Sequence, residues 1–242
     1  MQPSFSRISA LTFCAVSIGT LTLFSVDSVS AQGPARGASV AHPTASQGVP
    51  VSFSTYIAQN GLTQTYQTLT GIFPKTTTGA AIARVATLAP NGLKQDNVPA
   101  ERQLALDLAV LRNNADQALT DLQTGFKTLP EKYWPQRQFL IQTASHWPVS
   151  PGTLQAFLES EISRTITRNP SDPTDLSGYT PAIAIDSLSN IVADPVQLHD
   201  IILRDLQAQP DKDVRRTALV RYEAIDAVRA GQIATQLGLV VK

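Results

Sequence analysis

The chain has 242 residues, 43% of them hydrophobic, one cysteine, and Lys plus Arg equal to Asp plus Glu at 19 each. The basic residues form no stripe, and the densest pair, Arg215-Arg216, follows Asp211 and Asp213, which argues against nucleic-acid binding. The carboxylates are scattered rather than spaced as a loop of calcium ligands.

Met1 to Arg7 carries one positive charge, and Ile8 to Val26 has no charged side chain. Asp27 ends that run, and Val29-Ser30-Ala31 places small residues before Gln32. A charged start, an apolar middle and a small-residue cleavage site make residues 1–31 a predicted secretory signal. The competing membrane anchor suits it less, because Ser, Thr and Gly dilute the run and no basic cluster follows it. Cys14 would leave with the signal, so the expected mature chain has no thiol for a disulfide, a nucleophile or a metal. At about 210 residues that chain is long enough to bury roughly 70% of its unfolded surface. The expectation is a periplasmic or secreted protein with no membrane span once the signal is removed.

Gln32 to Pro50 is Gly, Pro, Ala, Ser and Thr with almost no large apolar residue, a predicted flexible leader (32–50). From residue 51 to 242 we expect a single helical domain. Val51, Phe53 and Ile57 suit either a short strand or the start of a helix. Leu62, Tyr66, Leu69 and Phe73 then step at helical period until Pro74. Gly79 to Ala89 reads as a small-residue helix with Ile82, Val85 and Leu88 on its apolar side, closed by Pro90-Asn91-Gly92. Pro99 to Gly125 reads as one long helix capped by Asn97, with Leu104, Leu108, Leu111, Ala115, Leu119, Leu122 and Phe126 along one face.

In the C-terminal half, Pro151, Leu154, Phe157-Leu158 and Ile162 recur 44 residues later as Pro195, Leu198, Ile201-Ile202 and Leu206. Phe139 and Ile141 map in the same way onto Ile183 and Ile185, and a period near 44 falls in the range of two-helix solenoid repeats. Pro195 to Ala227 reads as a helix, a turn at Gln209-Pro210-Asp211, and a second helix opened by Asp211 or Asp213. That second helix, Asp213-Val214-Arg215-Arg216-Thr217-Ala218-Leu219, resembles the second helix of a HEAT-type repeat, over about one repeat. The resemblance implies packed α-hairpins. Gly231 is expected to break the last helix, leaving a greasy tail at Ile233, Leu237, Leu239, Val240 and Val241 that packs on the core. The predicted fold is all-α: an irregular helical bundle leading into α-hairpin, solenoid-like units.

Motifs of chemistry are sparse. His42, His146 and His199 show no i, i+4 ligand pair, and no Gly-x-Ser-x-Gly or glycine-rich phosphate loop occurs. No cofactor and no metal are expected. Glu159 and Glu161 are two apart on a helix and point away from each other, so they read as solvated helix charges. Tyr133, Trp134, His146 and Trp147 form the candidate partner- or ligand-binding group, since both tryptophans flank the helix 136–146. They suit a stacking surface for a sugar ring, a partner hot spot, or plugs at the ends of one hairpin, the reading favoured by how often Trp fills cores. The function expected is a non-enzymatic interaction protein, an accessory subunit or assembly factor with a protein partner. The alternative is a small-ligand or glycan binder, or an enzyme, with a site around Trp134, His146 and Trp147.

Overall fold

A computed structural model describes residues 52–88, 98–169 and 171–239, and the predicted signal and leader lie outside them. Among the described residues there are eleven α-helices and no strand, an all-α fold. They are α1 (Phe53–Gln59), α2 (Thr63–Ile72), α3 (Thr77–Leu88), α4 (Val98–Asn113), α5 (Ala115–Phe126) and α6 (Trp134–Ala144). There follow α7 (Pro151–Ser163), α8 (Thr180–Ser189), α9 (Pro195–Ala208), α10 (Lys212–Glu223) and α11 (Ala227–Gln236).

The helix starts follow from short polar side chains that accept otherwise orphaned N–H groups. Ser52 accepts from Thr55 and Ser150 from Thr153, Asp194 from Val196, and Asp226 from Arg229. Asp211, not Asp213, caps α10, accepting from Asp213 N–H at 2.8 Å and Val214 N–H at 3.2 Å. Ser52 thus resolves the segment after Val51 as helix α1. Two ends use glycine in the left-handed region. Gly61 (φ 69°) and Gly238 (φ 62°) let Leu62 and Leu239 donate back to the Ile57 and Ala234 carbonyls, which closes α1 and α11.

Two sequence expectations are corrected. The long helix expected from Pro99 to Gly125 is two helices, broken at Asn114 (φ −126°, ψ 43°), whose side-chain amide donates to the Val110 carbonyl. An Asn-Asn pair offers the backbone a local alternative to the helix, and a stripe stepping by four across the break hides it. Gly125 does not end α5. It lies inside the helix, where a Cβ would stand 2.2 Å from the Phe73 ring, so its role is close packing. Likewise Gly231 sits within α11 with nothing near its missing Cβ, and the chain breaks earlier, at the Asp226 cap.

One buried apolar cluster runs from Leu69 of α2 to Leu239 after α11, and a smaller one joins Tyr56 and Ile57 to Leu88 and Ala100. Leu237 packs against the main cluster, so the first part of the apolar tail covers core; residues 240–242 lie outside the described residues. Helix α3 packs on α2, α4, α5 and α6, and α8 packs on α6, α7 and α10. Helix α7 also meets α9, and α11 meets both α9 and α10. The starts of α6 and α8 are alike: each follows a 3-10 turn, Glu131–Tyr133 or Ser177–Tyr179, and holds proline at its second position. Helices α7 and α9 both open on proline behind a capping side chain.

Buried polar groups fasten the N-terminal part. Thr76 and Thr78, at the start of α3, both donate to Asp121 Oδ2, and Gln117 donates to its Oδ1 at 2.8 Å. Arg84 forks onto the buried Asp107 at 2.9 and 2.7 Å, tying α3 to α4. Among the described residues no helix is long and apolar enough to cross a membrane.

Candidate functional site

The strongest concentration of charge lies where α5, α6 and α7 meet. Arg137, on the buried side of α6, donates through Nη1 to both carboxylate oxygens of Glu161, at 2.9 Å each. Its Nη2 donates at 2.7 Å to the carbonyl of Phe126, the last residue of α5, and its guanidinium lies 4.2 Å from the centre of the Phe126 ring. Both partners of the pair are almost fully enclosed, with side chains 3% and 6% exposed. Burial pulls Arg137 below its ordinary value, aided by the Arg164 charge and opposed by Glu161.

The network continues outward. Arg164, just past α7, reaches Glu161 through Nε at 3.4 Å and forks onto Glu131 at 2.7 and 2.9 Å. Burial works to lower Arg164, but hydrogen bonding to Glu131 and the two carboxylate charges outweigh it and raise its value. The Arg164 carbonyl accepts from the fully buried Gln209 at the end of α9. One polar chain thus links the end of α5, the 3-10 turn, α6 and α7.

Against this network opens a cleft of about 390 Å³. Phe126 and Phe157 line it, with ring centres 5.9 Å apart, beside Lys127 and Arg164. Gln123, Ser160 and Glu161 complete the lining. The Ser160 hydroxyl is spoken for, donating to the Phe157 carbonyl.

A second cluster joins α7 and α9: Gln155 donates to Glu159, and Arg204 pairs with Glu159 and Asp205, both at 2.8 Å. Asp205 is buried and its Oδ2 makes no hydrogen bond. Burial raises its carboxyl above the ordinary range, against the pull of Arg204. The folded protein therefore holds this proton more tightly than the unfolded chain does, and this group's contribution to stability falls as pH rises from the ordinary aspartate range through the raised value. The stability of Asp205→Asn relative to the parent should accordingly increase between about pH 4 and pH 7. Urea midpoints at both ends check this, and a difference that stays flat or shrinks would contradict it.

The sequence-predicted group is placed as follows. Tyr133 and Trp147 belong to the buried core, where they pack with their neighbours. Trp134 is the first residue of α6 and half-buried, and His146 is exposed beyond its end. His199 lies half-buried in α9, and among the described residues no three His, Cys, Asp or Glu side chains group as metal ligands. The expectation that Glu159 and Glu161 are solvated is corrected: Glu161 is buried and doubly paired, and Glu159 is half-buried and held by Arg204. A cue was present, since Glu161 continues the apolar face of Leu154 and Leu158 by a step of three. The cleft residues Gln123, Lys127 and Arg164 carried no comparable cue. In comparisons with known proteins, no family, no curated protein and no solved structure matches the chain.

Proposed function

We propose that this is an exported, non-enzymatic interaction protein, an accessory subunit or assembly factor of a periplasmic or envelope complex, which holds a protein partner at its C-terminal helices. Export rests on the charged start, apolar middle and small-residue site of residues 1–31. The binding reading takes the C-terminal helices as a stack, with α8 packed on α7 and α10 and α10 on α11, since stacked helices build extended protein-binding surfaces.

The observation that carries the proposal is the corner between α10 and α11. Val220 (67% exposed), Ile225 (40%) and Val228 (73%) fall within nine residues there. Single exposed apolar residues are ordinary on any protein, and the proposal rests on three falling so close in sequence across the last two helices, where the outermost helices of a stack normally turn a polar face to water.

The test is native co-purification of the tagged full chain from its own host, beside a Val220→Asp, Val228→Asp variant. The proposal expects one stoichiometric partner with the parent and its loss with the variant, whose melting temperature stays unchanged. A parent that elutes alone, or a variant that keeps the partner, refutes it.

A further inference from the structure

We propose that the cleft between α5 and α7 is a binding site for a small organic acid, a carboxylate on an apolar body, independent of the α10–α11 corner. Its volume, about 390 Å³, lies in the range of small-molecule sites. The side chains divide by role. Phe126 and Phe157 form the apolar floor, enclosed to 6% and 1% exposure, so a ligand meets the edge of Phe126 and the methylenes of the neighbouring side chains. Gln123 and Lys127 line the same space, and neither side chain has a hydrogen-bonding or charged partner among the described residues.

Charge selects the ligand's sign. Lys127 and Arg164 face one lining carboxylate, Glu161, and both oxygens of that carboxylate are already engaged by Arg137. Glu131 engages the end of Arg164, which fixes the guanidinium in place rather than leaving it to swing. The uncompensated charge on the lining is therefore the Lys127 ammonium. An anion placed there gains a charge-assisted hydrogen bond, and the Gln123 amide offers a further donor. An amine would meet Lys127 and Arg164 as like charges, and a neutral ligand would leave the ammonium's attraction unused. The buried network thus backs the site: Arg137 donates to both oxygens of Glu161, and Arg164 Nε lies 3.4 Å from one of them, so that carboxylate is already engaged away from Lys127.

The experiment titrates the protein purified from its host with 4-phenylbutyrate and octanoate, and with 4-phenylbutan-1-ol as the uncharged match, by calorimetry. The acids should saturate and bind about tenfold tighter than the alcohol, the worth of one charge-assisted contact. Lys127→Gln, an exposed substitution outside the core, should lose about that factor for the acids and leave the alcohol unchanged. Equal affinity for acid and alcohol, no saturable binding of either acid below about 10 mM, or undiminished acid binding by Lys127→Gln would each overturn the assignment.

Discussion

Glu161→Ala is expected to lower stability by about 3–5 kcal/mol, the largest loss of any single substitution in the charge network. The carboxylate accepts two bonds from Arg137, and both side chains are nearly sealed from water. Alanine leaves the guanidinium buried with only the Phe126 carbonyl and ring as partners. An arginine does not escape by losing its proton, so the full desolvation cost stays. The same reasoning gives the pair little net worth against an apolar replacement: Arg137→Met with Glu161→Met should recover most of the loss. Urea unfolding of the two single variants and the double variant measures the coupling. A loss below about 1 kcal/mol for Glu161→Ala, the scale of an exposed pair, would show that water reaches this site.

Gly79→Ala is the second large effect, with a sign opposite to helix propensity. Alanine is favoured over glycine inside a helix by about 1 kcal/mol. At Gly79, however, a Cβ would lie 2.1 Å from the Pro74 carbonyl oxygen, a backbone atom that cannot rotate away. Overpacking of this kind costs about 3 kcal/mol, so a net loss near 2 kcal/mol is expected. The neighbouring anchor makes relaxation harder, because Gly79 N–H donates to Thr76, whose hydroxyl is held by Asp121. Gly231→Ala in α11 is the control: nothing stands within 4 Å of its Cβ position, and it should gain about 0.5–1 kcal/mol. Thermal unfolding of both variants checks the pair, and a Gly79→Ala protein as stable as the parent would contradict the clash.

These effects show what could be read from residues alone. Helical period marked the buried faces well: Leu154, Phe157, Leu158 and Ile162 of α7 are all core. Proline and short polar residues located the starts of α7 and α9. The break at Asn114 was missed because the apolar stripe keeps its step across it. Charged residues on buried faces were the systematic gap. Asp121, Arg137, Glu161 and Asp205 each occupy a position that continues an apolar stripe, where the period predicts burial and the residue type predicts water. The partner decides between the two, and Arg137 and Glu161 are 24 residues apart, beyond the reach of any local pattern. The cleft was illegible for the same reason, being assembled from α5, α7 and the residues that follow each.

Hydrogen exchange on the purified protein, alone and with its recovered partner, tests the central claim most directly. Partner binding at the last two helices predicts slowed exchange over residues 218–230, with the α5–α7 cleft unchanged. Slowing confined to the cleft, or none at the α10–α11 corner, would contradict it.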